Sequence, residues 1–300
     1  MSARNRIHAS WQAAAALVVS ALVAAAPAAR AQATPPADPT LELARTKYSP
    51  AEWPRGERRD GFVLEELSLP GLAGREVEFE PVVVARTYAD AKGVARVLVE
   101  MEVGESVADA HAALLRHVAY VQSTKTLATA ASRSLRAGDV GYVAYGGKDV
   151  SRIAWVAFVV GNLEFRVVKL EPDAEGAPDL APLVELLSAR ALALPPLAAD
   201  APVSKPQVRR FTAERATFPA GASILLDVAA TDPTGRAPRL DFEIGAAPNG
   251  RGGQGYVEPD DQGRWRFHAT GPGHATIIAR VLGRNGTTAT KSIAVEIAAK

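Results

Sequence analysis

The residues of this sequence that are best suited to chemistry are four histidines beyond residue 33. His111 and His117 lie six residues apart in a stretch with helical periodicity, so they fall on different faces of a helix. An ion-chelating pair on one helix face needs a spacing of four residues. His268 and His274 flank the short stretch ATGPG, and no third ligand is evident beside them. The spacing therefore predicts no metal site.

Carboxylates and nucleophile motifs do not indicate an enzyme. The adjacent acids Glu65-Glu66 and Asp260-Asp261 would point to opposite faces of a strand, so neither pair suits a shared substrate, and the second pair is typical of a turn. The chain contains no GxSxG motif, no glycine-rich phosphate loop, no zinc-type helix motif and no cysteine. Ser-His-Asp triads are assembled by the fold, so spacing alone does not exclude them. We predict a non-catalytic protein without a cofactor; an exported hydrolase is the alternative.

The first 33 residues have the layout of a secretory signal peptide. A basic start with Arg4 and Arg6 precedes the short apolar run 13–26, and small residues at Ala31 and Ala33 form the expected cleavage site. A membrane anchor would need about 20 apolar residues, and this run is shorter. We expect cleavage after Ala33, a periplasmic or secreted protein, and no transmembrane segment in the mature chain.

Charge argues against nucleic acid as a partner. The precursor has 34 basic and 33 acidic residues, and removal of residues 1–33 takes away three arginines, which leaves 31 − 33 = −2. Nucleic-acid binding needs a concentrated basic face, whereas the Lys and Arg residues here are scattered. The expected partner is a protein or another component of the cell envelope.

Composition divides the remaining chain into two domains. Residues 34–49 are a loose, proline-containing leader, and residues 50–193 mix helical and strand patterns. Residues 194–206 are rich in proline and alanine, which is typical of an interdomain linker. Every apolar run in residues 207–300 is strand-like.

The first domain has clear periodicities. In residues 95–103 apolar and polar residues alternate, which predicts a strand with one buried face. Ser106 and Asp109 then form the start of an amphipathic helix, and residues 179–192 predict a second one.

The stretch IAWVAFVVGNLEFRVVKL, residues 153–170, is the most apolar part of this domain. A membrane helix would have to bury Glu164 and Arg166 at a cost of about 2.5–3.5 kcal/mol for a central charge such as Arg. Gly161-Asn162 suits a two-residue turn, so we predict a hairpin with strands 152–160 and 163–171.

The hairpin turn determines which side chains share a face. Phe158 and Phe165 lie on a wholly apolar face, which we expect beneath both helices, whereas Trp155 and Arg166 lie on the other. The predicted fold class is therefore α+β, an antiparallel sheet with two helices on one face, followed by an all-β immunoglobulin-like sandwich. If the second face is open, Trp155, Arg166 and Tyr142 form the predicted binding site, because aromatic and Arg side chains dominate interfaces. Alternatively another segment, such as residues 60–90, covers this face and Trp155 belongs to the core.

The second domain resembles a known group of modules. Its stretches TDPTGRAPRLDFEI, DDQGRWRF, GPGHATIIARV and RNGTTATKSIAVEI are similar to bacterial immunoglobulin-like and cadherin-like repeats. The resemblance implies an exported, non-catalytic module that serves as a spacer or in recognition. Some such repeats bind calcium; Asp232 matches the first acidic position, but Leu282 and Gly283 stand at the later one. Because calcium needs six to eight oxygen ligands, we expect no calcium site.

These observations favour an exported bacterial protein that works by binding, with the first domain as recognition module and the sandwich as spacer or second contact. A role in envelope assembly, in which exposed sandwich edges accept a partner strand, is a further alternative.

Overall fold

The computed structural model describes residues 53, 55–79, 83–123, 128–131, 137–146, 152–171, 177–245 and 253–299. The predicted signal peptide with Ala31 and Ala33, and the predicted leader 34–49, lie outside the described residues. By their contacts, the described residues belong to one compact unit.

The fold class predicted from the sequence is wrong. The described residues are mostly β, with 51% of them in strands and 15% in helices, arranged as three sheets and two α-helices. Both predicted helices are present, but the strands contain far more of the described residues than the helices do.

Seven strands form the first sheet, in the order β1-β2-β3-β7-β6-β5-β4. Their bounds are β1 Ala73–Phe79, β2 Val83–Ala89, β3 Ala95–Val103, β4 Ala128–Ala131, β5 Val140–Gly146, β6 Arg152–Val160 and β7 Leu163–Lys169. All neighbouring strands of this sheet are antiparallel. Helix α1 (Val107–Ser123) lies between β3 and β4 in the chain, and helix α2 (Ala181–Leu192) follows β7.

The predicted hairpin is confirmed. β6 and β7 pair in the expected register, with Phe158 opposite Phe165 and Trp155 opposite Val168. Gly161 has φ +60°, as a tight hairpin turn requires. The capping box of α1 is also present, because the Asp109 backbone N–H donates to Ser106 Oγ while the Ser106 N–H donates to Asp109 Oδ2.

The two helices lie on opposite faces of the sheet, which corrects the prediction that they share one. Helix α2 packs through Leu183, Val184 and Leu187 onto the face of Phe158 and Phe165, where it joins the main core. The chain segment with Phe62, Leu64, Leu67 and Leu69 covers the same face. Helix α1 packs through Ala110, Leu114, Val118 and Val121 onto the other face, against Trp155, Tyr142, Ala157 and Val159.

Charged residues on β7 explain this error. Glu164 and Arg166 alternate with apolar residues, a pattern typical of a half-solvated strand, yet both are buried. Their charges are compensated by neighbouring side chains, so α1 can cover this face without leaving an isolated buried charge.

The remaining strands form two four-stranded sheets, in the orders β12-β13-β10-β8 and β11-β14-β15-β9. Their bounds are β8 Gln207–Ala213, β9 Thr217–Pro219, β10 Ser223–Thr231, β11 Arg239–Gly245, β12 Gln254–Pro259, β13 Trp265–Gly271, β14 Gly273–Leu282 and β15 Thr288–Ala298. Phe211, Ile224, Phe267, Ile277 and Val295, from both sheets, share one apolar cluster. Burial of the two inner faces against each other makes this part a β-sandwich.

The segment 194–206, predicted to be a linker, is held in place by hydrogen bonds. The Leu197 N–H donates to the Arg58 carbonyl, and the Ser204 N–H donates to Asp60 Oδ2. Val203 is buried. A freely moving tether would have none of these contacts.

The sandwich also contacts the first sheet directly. Ion pairs join Arg284 to Glu65 and Arg236 to Glu66. Gly286 has φ +84°, and a Cβ at this position would lie 3.1 Å from Val103 and 3.2 Å from Met101. The backbone conformation therefore favours glycine, and an added Cβ would also require these two side chains to shift slightly.

One hairpin turn occurs twice, with the sequence pattern D-x-x-G-x-x-R. Asp90 and Asp260 each accept two backbone N–H groups through Oδ1 and an arginine Nε–H through Oδ2, from Arg96 and Arg266 respectively. The pKa of Asp90 is lowered, chiefly by the hydrogen bond from the Arg96 side chain. The pKa of Asp260 is also lowered, chiefly by the hydrogen bond from the Arg264 backbone N–H. Asp260 thus organises a turn, as the sequence predicted for this acidic pair.

Among the described residues, neither helix combines the length and apolar character that crossing a membrane would demand.

Candidate functional site

The three residues of the predicted binding site are buried. Trp155 and Tyr142 share one cluster beneath α1, with 5% and 4% of their surface exposed, and Arg166 is 4% exposed. The expectation of an open sheet face was wrong because α1 lies on it. The alternative that Trp155 belongs to the core describes its position correctly, although α1 rather than residues 60–90 covers it.

Arg166 belongs to a buried polar network at the edge of α1. Its guanidinium lies 3.2 Å from Glu100 Oε2 and 3.5 Å from Glu164 Oε2. The register of β3 and β7 creates this arrangement, because Glu100 pairs with Arg166 and Glu102 with Glu164. Since residues two apart on a strand share a face, all four side chains point towards α1.

Glu164 is fully buried and pairs with a histidine from the helix. His117 Nδ1 lies 3.1 Å from Glu164 Oε1. Burial by itself would raise the pKa of Glu164, but the charges of His117 and Arg166 and the hydrogen bond with His117 hold this pKa below its ordinary value. Glu164 is therefore a buried carboxylate that keeps its negative charge.

Glu102 lies at the more exposed end of the same network. Burial raises the pKa of Glu102, and the nearby negative charge of Glu164 raises it further. Arg116, one residue before His117 on α1, lies 3.0 Å from Glu102 Oε1 and opposes that effect. Two carboxylates with like charge are thus held close together at the rim of the helix.

One nitrogen and two carboxylate oxygens converge here. Ligand atoms of Glu102, His117 and Glu164 lie within 4.8 Å of one another. Imidazole and carboxylate are ligands that several divalent metals accept, and the same groups can exchange protons. Sequence reasoning compared His117 only with His111 on its own helix and therefore missed both partners. The usable signal was Glu102 and Glu164, which lie on strands that could pair next to that helix.

His111 lies apart from this network, in a more apolar environment on α1. Its Nε2 is buried and has no hydrogen-bond partner among the described residues, and its ring meets the edge of Trp53 at 4.9 Å. Burial lowers the pKa of His111, and the negative charge of Asp139 only partly offsets this effect.

This lowered pKa predicts a loss of stability in mild acid. The unfolded chain takes up a proton at His111 near pH 6.5, whereas the folded chain resists protonation until a lower pH, so stability falls as pH drops below about 6.5. Replacing His111 with Leu should remove part of this decline. Melting temperatures of both proteins between pH 7.5 and pH 5 would test it, and parallel curves would contradict the assignment.

An exposed aromatic residue lies on the edge strand β12. Tyr256 is 49% exposed and stacks on His268 of β13 with ring centroids 5.0 Å apart. Glu258 Oε1 lies 3.3 Å from His268 Nε2. His268, considered as a metal ligand in the sequence, thus supports a surface tyrosine.

Asp232, at the position that matches calcium-binding repeats, organises a local turn. Its Oδ1 accepts the Thr234 backbone N–H, and its Oδ2 accepts the Arg284 backbone N–H. Both carboxylate oxygens are therefore engaged by the protein itself.

Comparison with known proteins gives no family for this chain. No family model matches it, and no curated protein matches it. Among solved structures, dimeric latent PorU from Porphyromonas gingivalis is similar at a TM-score of 0.20 and 12% identity, over 74% of this chain and 22% of that chain. The chain therefore spans about a fifth of the length of that protein.

Proposed function

We propose that this chain is an exported, non-catalytic binding protein that recognises an extended segment of a cell-envelope protein by strand addition at β12. The observation that supports this most is the position of β12 at the edge of its sheet together with the exposed ring of Tyr256. Unpaired backbone groups on an edge strand accept a further strand, and an exposed aromatic ring adds side-chain contact area.

β12 is the least protected edge among the sheets of the described residues. β1 and β11 each carry three charged residues, and β8 carries two arginines. β4 and β9 have four and three residues, which limits pairing by length. Charged side chains, prolines and short strands are the usual means by which proteins prevent edge-to-edge association. β12 has only one charged residue, Glu258, and its proline stands at its last position, so it has little of this protection.

The signal-peptide pattern of residues 1–33 supports export, and the near balance of charges supports a protein partner rather than nucleic acid. The contacts between the sandwich and the first sheet support a role in which the sheet unit holds β12 in a constant position. Recognition is thereby assigned to the sandwich, rather than to the covered face that contains Trp155.

A charge on the edge strand tests this proposal. Tyr256→Lys places a cation on the strand and removes the ring, so the partner captured from an envelope extract and identified by mass spectrometry should be lost. Backbone amides of residues 254–259 in the unaltered protein should gain protection from hydrogen exchange when that purified partner is added. Tyr120→Lys is a matched control, because Tyr120 on α1 is similarly exposed at 45%.

Retained capture by Tyr256→Lys, without added protection at residues 254–259, would contradict strand addition at β12. Loss of capture in both lysine variants would show that charge, and not the β12 edge, is responsible.

A further inference from the structure

We propose that Glu102, His117 and Glu164 form a binding site for one divalent transition-metal ion of the Zn²⁺ class. This inference is independent of the proposed strand addition, because the three residues lie on β3, α1 and β7 of the first sheet.

The geometry already resembles part of a coordination shell. Bonds of about 2.0–2.1 Å at a tetrahedral ion place two ligand atoms about 3.3 Å apart. His117 Nδ1 and Glu164 Oε1 are 3.1 Å apart, and all three ligand atoms lie within 4.8 Å. A small inward movement of Glu102, the most exposed of the three, completes a three-ligand set with one open position.

The buried carboxylate has spare capacity for a cation. Glu164 has no exposed surface, and its Oε2 accepts no hydrogen bond among the described residues. Arg166 Nε, at 3.5 Å, contributes charge without a hydrogen bond to this oxygen. A buried charged oxygen without a hydrogen bond is costly, and a metal ion would satisfy it.

The charges around the site also suit a divalent ion. The network contains three carboxylates, from Glu100, Glu102 and Glu164, and two guanidinium groups, from Arg116 and Arg166. Arg116 is 36% exposed and can turn towards solvent, which leaves Glu102 available to a metal. Three negative charges, Arg166 and a divalent ion then sum to zero.

The donor set indicates the class of ion. A nitrogen ligand suits Zn²⁺ and its neighbours in the first transition row, whereas Mg²⁺ and Ca²⁺ prefer oxygen ligands throughout. Two carboxylates and one imidazole with an open fourth position match the ligand types that zinc accepts.

Isothermal titration calorimetry of the purified chain with ZnCl₂ tests the proposal. We expect one Zn²⁺ per chain and much weaker binding of MgCl₂. Glu102→Gln and His117→Gln should each weaken Zn²⁺ binding by at least about tenfold, since even outer-shell changes at metal sites cost that much. His268→Gln, a surface histidine beside Glu258, is the control and should bind as the unaltered protein does.

Arg116→Ala gives an effect in the opposite direction. Removing the guanidinium frees Glu102, so Zn²⁺ affinity should rise several-fold. An adventitious surface site would not respond in this way.

A spectroscopic measurement on the unaltered chain keeps the test valid if a variant fails to fold. Added Co²⁺ should shift and broaden the ring resonances of His117 while leaving those of His268 unchanged. The proposal would be overturned if the chain did not bind Zn²⁺ or bound Mg²⁺ equally well. It would also be overturned if Glu102→Gln and His117→Gln both kept a Zn²⁺ affinity within about twofold of that of the unaltered protein. The cluster would then be an ion-pair network that stabilises the packing of α1 on the sheet.

Discussion

Replacing Gly161 with Ala is expected to lower the free energy of unfolding by about 2–5 kcal/mol. The left-handed backbone contributes about 1–2 kcal/mol of this loss, and the steric clash contributes about 1–3 kcal/mol. The reason is that Gly161 has φ +60° and that a Cβ there would lie 1.8 Å from the Glu57 carbonyl oxygen. The hairpin tip and the chain around Glu57 cannot both keep their positions.

This turn matters because several segments meet at it. The Gly161 N–H donates to Asp139 Oδ2, and the buried side chain of Asn162 accepts the Arg59 N–H and donates to the Gly104 carbonyl. Displacing the turn would therefore weaken three connections at once.

Thermal melting followed by circular dichroism measures the effect, and Gly263→Ala is the matched control. Gly263 has φ +73° but nothing within 4 Å of an added Cβ, so this variant should lose only about 1–2 kcal/mol. Hydrogen exchange at the Arg59 amide should accelerate in Gly161→Ala alone. Equal losses in the two variants would show that the close approach to Glu57 has no energetic weight.

Replacing Trp155 with Ala is expected to cost about 3–5 kcal/mol, the usual range for a buried large aromatic side chain. Trp155 lies in the cluster between α1 and the sheet, and the truncated side chain would leave a cavity beneath Leu114 and Val118. The measured quantity is again the melting temperature, which should fall strongly.

Tyr120→Ala controls for the loss of an aromatic residue near the same cluster. Tyr120 lies on α1 but is exposed, so its removal should change stability by no more than about 0.5 kcal/mol. If Trp155→Ala melted like the unaltered protein and yet lost its partner, the tryptophan would be a contact residue and its burial beneath α1 would be refuted.

Local features of the first sheet could be predicted from the sequence because they depend on neighbours in the chain. Gly161-Asn162 favours a turn, and a two-residue turn determines every cross-strand pair from Val160–Leu163 to Trp155–Val168. The Ser106–Asp109 capping box and the position of α2 follow from short-range patterns in the same way.

The faces taken by the helices could not be predicted, because both faces of β6 and β7 can be buried. Glu164 and Arg166 indicated solvent in the sequence, and only their partners on β3 and α1 make burial tolerable. Those partners are far away in the chain, as His117 and Glu164 show with a separation of 47 positions.

The sequence by itself determined strand β3, the β6–β7 hairpin with its turn, and the amphipathic stripes of both helices, since each depends on residues within a few positions of one another. Tertiary structure alone decided that α1 covers Trp155, that β12 lies at the edge of its sheet, and that Glu102, His117 and Glu164 converge. The physical reason is that burial and electrostatic compensation depend on distances in space, which only the packed chain establishes.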